Sequence, residues 1–289
     1  MMPITEEVRV LLTANAAAQL QRDDEYLDPA DGLLHCKTCH GLRQTVIPAP
    51  GGTGFLRPRC LCPCQSAAEK QRKAAEEKRE RLERIQRRKA RGLQDRRLYD
   101  CTFANDNGKT PGLTAKAKRY VEHWKDAARK NIGLLLFGDV GTGKSFLAGC
   151  IANALLEQDV PVLMTNFPTI LNRMTGLFGS DRADFLANLN AYDLLILDDL
   201  GAERGTEYAL EQVFAVIDAR YRSRKPLIVT TNLTLDALKH PDDLAHARIY
   251  DRILEICAPI LFGGENLRVE KANEMKTAAR NLLLPGNAA

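Results

Sequence analysis

The stretch Asn131-Ile-Gly-Leu-Leu-Leu-Phe-Gly138-Asp-Val-Gly141-Thr-Gly143-Lys144-Ser145-Phe-Leu-Ala decides the fold. An apolar run too short for a helix leads into a glycine-rich turn, and a lysine and a hydroxyl open the next element. That is the G-x-x-x-x-G-K-[ST] phosphate loop between a strand and a helix, the setting it needs. Gly138, Gly141 and Gly143 allow backbone conformations closed to other residues and let main-chain N–H groups face a phosphate. The loop Gly138, Asp139, Val140, Gly141, Thr142, Gly143, with Lys144, Ser145 and Phe146 at the helix start, is therefore the expected ATP cradle. Lys144 is placed for the β- and γ-phosphates and Ser145 for Mg²⁺.

Around this loop, apolar runs alternate with helical patterns, which implies a parallel α/β sheet. The expected strands are Gly133–Phe137, Pro161–Asn166, Asp193–Leu197, Leu227–Thr231 and Ala258–Phe262. Their apolar continuity fits strands covered on both faces. A helix is expected over Thr114–Lys130, with Ala117, Tyr120, Val121 and Trp124 inward, and no internal repeat is found. The aromatics of Tyr99-Asp-Cys101-Thr-Phe103 are candidates to pack near a nucleotide base.

Tyr192-Asp-Leu-Leu-Ile-Leu-Asp198-Asp199-Leu-Gly-Ala-Glu203 carries two carboxylates to the C-terminal edge of such a sheet, where its ligands bind. Asp198 is the candidate Mg²⁺ holder and Asp199 the candidate base for the attacking water. The strand ending at Asn232 offers an amide beside the same edge, although Asn also begins turns. Arg248 and Arg252 stand four apart on one helical face. Either is a candidate arginine finger for a neighbouring subunit's site, and a surface pairing with Glu255 is the rival reading.

The 289 residues allow one core domain with an appendage, or two modest domains. A net charge of +4 selects no partner class. No run is apolar enough to span a bilayer and no secretory layout opens the chain, so a cytoplasmic protein without membrane association is expected. Five of the eight cysteines fall between Cys36 and Cys64, which points to metal rather than disulfides. Cys36 and Cys39, with two of Cys60, Cys62 and Cys64, are the expected structural zinc ligands; His35 or His40 is an alternative donor. Cys36-Lys-Thr-Cys39-His40 also matches a haem-attachment string, which would leave three cysteines unexplained. Cys150 and Cys257 lie among apolar neighbours and read as inert core residues.

Residues 4–21 read as an amphipathic helix with Ile4, Val8, Leu11, Leu12 and Leu20 on its apolar side and Thr5 as cap. Residues 66–97 are Ala, Glu, Gln, Lys and Arg almost throughout, basic over acidic by about two to one. That composition gives a solvated helical linker ended near Gly92, or a basic arm for nucleic acid carried by Arg84, Arg87, Arg88, Lys89 and Arg91. The expected organisation is a zinc-binding module over 1–65, a charged helical linker over 66–97 and an ATPase domain over 98–289.

With these motifs in place, Leu98 to Leu284 resembles the DnaC/DnaI-like replicative helicase loaders and the related IstB transposition ATPases. Further matching stretches are Asp218-Ala-Arg-Tyr-Arg222, Pro226-Leu-Ile-Val-Thr-Thr-Asn-Leu233 and Arg248-Ile-Tyr-Asp-Arg252. The resemblance implies an AAA+ core with strand order 5-1-4-3-2 and no helical lid. It implies Asn232 as first sensor, Arg252 before Arg248 as trans-acting finger, and Arg268 in Gly264-Glu-Asn-Leu-Arg268 as a second nucleotide-sensing arginine. Arg173 and Arg182, between the second and third strands, become candidate DNA contacts. Loaders of this kind bind a DnaB-like replicative helicase through an N-terminal module, contact single-stranded DNA and form homo-oligomers under ATP control. The alternative is an IstB-like transposition helper acting on duplex DNA, and IstB-type proteins usually lack a zinc module. A small-molecule kinase fits the Asp-Asp and Asn232 strand ends less well. A zinc adaptor with a vestigial nucleotide site fits poorly with intact Lys144, Ser145, Asp198 and Asp199.

Overall fold

The computed structural model describes residues 22–48, 50, 55–201 and 206–283. The expected helix over 4–21 and the acidic Glu203 lie outside the described residues. By compactness the chain divides into Met1–Leu82 and Glu83–Ala289.

In the first unit β1 (Glu25–Leu27) pairs antiparallel with β2 (Leu34–Cys36), and β3 (Ile47–Pro48) with β4 (Phe55–Leu56). Its buried apolar residues are few, chiefly Leu34, Cys36 and Cys62. Two ion pairs add to the interior: Arg59 to the fully buried Glu25 at 2.9 Å, and the buried Arg43 to Asp24. So small a core calls for a cross-link of another kind.

Helix α1 (Pro63–Gly92) crosses the division. Its last turns belong to the second unit, beyond what a solvated linker over 66–97 would do. Ile85 is buried there, Arg84 and Arg88 meet Asp159 at 3.2 and 2.5 Å, and Lys89 meets Glu157 at 2.9 Å. Gly92 is the reason the chain can close in, since a Cβ would stand 2.2 Å from the Val162 carbonyl oxygen. Leu93 then bridges Met164 in parallel and covers part of the edge of strand β6 (Val162–Asn166). Three cations of the expected basic arm are thereby drawn into ion pairs with two carboxylates, and Arg87 pairs with Glu83 within the helix.

Next come α2 (Pro111–Glu122) and α3 (Trp124–Arg129), broken at His123 where one helix was expected. Ala117, Tyr120, Val121 and Trp124 are buried as the pattern required. Strand β5 (Gly133–Gly138) leads through the phosphate loop to α4 (Lys144–Glu157) and then β6. After β6, α5 (Phe167–Met174) and α6 (Ser180–Ala191) precede β7 (Leu194–Leu200). The remainder is α7 (Glu207–Ser223), β8 (Leu227–Thr231), α8 (Leu235–Lys239), α9 (Leu244–Ile256), β9 (Cys257–Phe262) and α10 (Leu267–Leu283).

The five strands β5 to β9 form a parallel sheet in the order β6-β7-β8-β5-β9. This is the 5-1-4-3-2 order of an AAA+ P-loop core, as expected. Among the described residues α10 alone follows the last strand, so no helical lid is seen there. Alternation along each strand splits the core in two. Leu134, Leu136, Met164, Ile196 and Ile228 pack against α2 and α4. Leu135, Leu163, Leu195, Leu197 and Val229 pack against α5, α7 and α9. Each such side chain contributes roughly 1.5–3 kcal/mol of burial. Cys150 and Cys257 are buried in these layers, and burial pushes the Cys150 thiol up to about 12.

Arg220, on α7, is the largest fully buried side chain. Its guanidinium donates to the carbonyls of Tyr192 at 2.9 Å, Asp193 at 2.7 Å and Pro226 at 2.6 Å, which immediately precede β7 and β8. Burial lowers its pKa to about 10, against the opposing charges of Asp193 and Tyr120. The planar five-donor fork suits three carbonyls that a single ammonium could not reach together. Arg220→Met should cost about 2–4 kcal/mol in urea denaturation by leaving those carbonyls unpaired, and Arg220→Lys should recover little of it.

Candidate functional site

The phosphate loop is shaped by sterics. Gly138, Gly141 and Gly143 all hold positive φ, at 128°, 81° and 94°. A Cβ on Gly138 would lie 2.2 Å from the Phe262 carbonyl oxygen, and one on Gly141 would lie 1.9 Å from Asn266 Oδ1. Thr142 is buried and donates to the Asp139 carbonyl at 2.8 Å, so it braces the loop from within. Lys144 Nζ donates to the carbonyls of Gly138 and Asp139 at 2.8 and 2.6 Å. Burial lowers the Lys144 pKa, while Asp199, Asp139 and Asp198 oppose that and Arg268 adds to it. An anion replacing the two carbonyls would restore the charged form's preference.

A cleft of about 640 Å³ opens over the loop. Lys144, Ser145, Asp199, Asn232 and Arg268 line it together, with Val140, Gly141, Gly143 and Phe146 on the loop side. Four stretches far apart in sequence thus converge on one space. Arg268 arrives because the Leu267 N–H donates to the Gly141 carbonyl at 3.0 Å, docking the start of α10 on the loop. The other wall is Asn105, Asp106, Asn107, Lys109 and Thr110. Tyr99 and Phe103, the expected base contacts, instead pack into the core beside α2 and α4. Their polar successors stand at the cleft because the aromatics are drawn inward, and no motif in the sequence announces them.

Asp198 and Asp199 sit on a bulge. Leu197 pairs with Val229 and Leu200 with Thr231, so two residues of β7 face the single residue Thr230. Asp199 takes φ 57°, a left-handed conformation that Asp tolerates better than most residues but at a cost of roughly 1–2 kcal/mol. The bulge gives the two acids different surroundings. Asp199 lines the cleft, while Asp198 is hydrogen-bonded to Ser145 and to the Thr230 hydroxyl, the latter at 2.6 Å. Burial raises the Asp198 pKa against those two hydrogen bonds, and Asp199 adds to the rise. A half-buried carboxylate touching the loop hydroxyl is a donor set suited to Mg²⁺, a hard cation that keeps most of its waters.

Neither finger candidate lines this cleft. Arg248 and Arg252 border a separate hollow of about 340 Å³ beside α8 and α9. Arg252 Nε donates to Asp218 at 3.0 Å, its Nη1 donates to the Arg248 carbonyl at 3.1 Å, and its guanidinium lies 4.6 Å from the Phe214 ring centroid. Glu255, the expected neutraliser, accepts from the Tyr221 hydroxyl at 2.8 Å instead. Arg248 is exposed. Of the candidate DNA contacts, Arg173 is exposed and Arg182 stacks over Tyr208 at 5.9 Å.

In the first unit the sulfurs of Cys36, Cys39, Cys62 and Cys64 gather within 4.8 Å of one another. The Cys62–Cys64 and Cys36–Cys64 separations are 3.2 and 3.7 Å. Tetrahedral zinc with bonds of about 2.3 Å would set sulfurs roughly 3.8 Å apart, so this donor set fits that ion. Backbone N–H groups of Cys39 and Thr38 lower the Cys36 thiol to about 6, and the neighbouring sulfurs, Cys62 first, raise Cys64 to about 12. Cys60 is left out, its sulfur aimed at the Leu42 carbonyl at 3.5 Å. So are His35, bonded to Asp31 and the His40 carbonyl, and His40, bonded to Tyr26. A Cβ on Gly41 would meet Pro63 at 2.4 Å and the Cys39 sulfur at 3.4 Å, which shows how closely the two knuckles pack.

Comparison with known proteins accords with this geometry. The chain is 30% identical over 184 residues to the replicative helicase loader DnaI of Bacillus subtilis (strain 168), covering 59% of each. It is 29% identical over 161 residues to the replicative helicase loader DnaC of Escherichia coli (strain K12), covering 53% of this chain and 63% of that one. The chain thus spans about three-fifths of the length of these curated relatives. A crystal structure of DnaI aligns with 61% of this chain and 95% of its own at 26% identity and a TM-score of 0.49. No helix among the described residues is long and apolar enough to cross a membrane. Residues 67–275, most of the chain, match the model of the IstB-like ATP binding proteins, and the chain belongs to that family.

Proposed function

We propose that this protein is an ATPase whose turnover depends on self-assembly, and that it loads a replicative helicase onto single-stranded DNA. The observation that carries the first half is the division of the site. Lys144, Ser145, Asp199, Asn232 and Arg268 share one cleft, whereas Arg248 and Arg252 border another. A cleft with every element but a finger needs that cation from outside, and a second copy of the chain supplies it.

The roles follow from position. Loop N–H groups and the start of α4 hold the phosphates. Lys144 exchanges its two carbonyl acceptors for phosphate oxygens. Ser145 and Asp198 hold Mg²⁺, which when bound neutralises charge on the phosphate oxygens. Asp199 accepts the proton of the attacking water, and the Asn232 amide orients that water. Arg268 senses the nucleotide from α10.

The helicase assignment is supported by relatives that are themselves named replicative helicase loaders. By that analogy the zinc module binds a DnaB-like helicase, Zn²⁺ closes its four sulfurs, and the setting is the cytoplasm. The match to the IstB-like family favours a second reading, a transposition helper acting on duplex DNA with a transposase. Affinity capture of the full chain from its native cells separates the two. A replicative helicase in the eluate, lost when residues 1–65 are deleted, supports loading; a transposase, or helicase binding that survives the deletion, overturns it.

Metal analysis should find one zinc per chain. Cys62→Ser should release it, and Cys60→Ser should retain it.

Arg252→Ala should lower DNA-stimulated ATP turnover by about 10³-fold or more with ATP affinity nearly unchanged. Arg252→Ala mixed with Lys144→Ala should regain turnover, because one chain supplies the finger and the other the loop. No recovery in the mixture would mean that Arg252 acts on its own chain's site.

A further inference from the structure

Strand β8 is fully buried, and its first three residues are Leu227, Ile228 and Val229. Thr230 and Thr231 follow with no exposed surface at all. Valine would fill the same volume at either place, and a buried hydroxyl is costly unless it is hydrogen-bonded. The difference between Thr and Val at position 230 is therefore confined to what its hydroxyl contacts. That hydroxyl uses both of its capacities on one target. Oγ1 donates to Asp198 Oδ1 at 2.6 Å and accepts from the Asp199 N–H at 2.9 Å. Thr231 completes the grip one residue on, donating to the Leu200 carbonyl at 2.8 Å and accepting from the Leu233 N–H at 3.1 Å. The two hydroxyls thus clasp the β7 bulge from Asp198 to Leu200, and Asn232 is the next residue.

We propose that Thr230 is a positioning residue of the ATPase site, whose hydroxyl fixes Asp198 toward Ser145 and turns Asp199 into the cleft. This rests on the ATPase reading above. Without the hydroxyl, Asp198 loses one of the two groups that orient it, and the left-handed Asp199 loses the bond to its own N–H. Free rotation of Asp198 would weaken the ligand geometry for the cation. Relaxation of Asp199 toward ordinary strand backbone would withdraw its carboxylate from the cleft. Substrate binding at the phosphate loop uses neither contact.

The test compares the full chain with Thr230→Val and Thr230→Ser, each checked for folding by thermal melting. Turnover is measured against ATP and against Mg²⁺ concentration, and binding of a fluorescent ATP analogue is titrated with and without Mg²⁺. Thr230→Val should lower kcat about 10- to 100-fold, the scale of a lost hydrogen bond to a charged group. KM for ATP should stay within about threefold, half-saturation by Mg²⁺ should rise several-fold, and Thr230→Ser should recover most of kcat. A Val variant with wild-type kcat and Mg²⁺ requirement overturns the proposal. So does a kcat loss with the Mg²⁺ requirement unmoved and no recovery by Ser, which marks a merely structural role. If Thr230→Val does not fold, Thr230→Cys, of like size and with a weak donor, carries the same comparison. If the wild-type chain does not turn over ATP even with single-stranded DNA and at concentrations where it self-assembles, the ATPase reading fails by itself. The Mg²⁺ dependence of analogue binding then still reports on the Thr230 contact.

Discussion

The phosphate loop, Asn232 and Arg268 meet because β5 approaches its neighbours so closely. The strand begins and ends in glycine. A Cβ on Gly133 would lie 2.1 Å from the Leu227 carbonyl oxygen, and one on Gly138 would lie 2.2 Å from that of Phe262. Such distances are incompatible with any side chain, so β5 is seated between β8 and β9 only because both ends are bare. Phe137 then pairs with Thr231, and Gly138 with Phe262. That register brings the phosphate loop level with the end of β8, where Asn232 follows, and with the turn after β9 that delivers Arg268. A shift of one residue would turn the apolar side chains of β5 onto opposite faces and separate the loop from both.

The two edges of the sheet divide the labour. At the carboxyl edge the backbone is strained and polar, with Asp199 left-handed and two acids crowded opposite one threonine. At the amino edge Arg220 ties the entrances of β7 and β8 to α7 through three carbonyls. Strain at a site persists only where the surrounding structure over-determines it. A rigid anchor at the far end of the same two strands is one source of that determination. The hydroxyls of Thr230 and Thr231 are the other, acting at the bulge itself.

What the sequence made legible was local chemistry. Lys144, Ser145 and Asp198 stand in motifs whose spacing implies their neighbours, and the apolar runs around them fixed the strands to within a few residues. What it hid depended on partners far along the chain. Arg252 meets Asp218 rather than Glu255 because α7 and α9 lie side by side, a packing that no spacing within α9 can reveal. Cys60, Cys62 and Cys64 alternate evenly, so nothing local says which sulfur turns away; the bond of Cys60 to the Leu42 carbonyl decides it. The charged helix looked fully solvated because its composition is uniform. Gly92 reads as the end of the helix, but nothing around it says that the chain there closes on β6.

The setting of Arg252 bears on how assembly and hydrolysis would be linked. Its guanidinium is stacked on Phe214 and bonded through Nε to Asp218, a carboxylate that Arg222 also grips at 2.7 Å. Those contacts engage one edge and one face of a planar group that carries five donors. The Arg248 carbonyl takes a further Nη1 proton, leaving the rest of the fork without a described acceptor. A side chain held in this way has surrendered much of its rotamer entropy before any partner arrives, which lowers the cost of docking it on a phosphate. The same contacts limit its reach, so on the proposed trans arrangement the approach of a whole subunit would bring the nucleotide to the arginine. Assembly geometry, rather than side-chain motion, would then set whether ATP at Lys144 is hydrolysed.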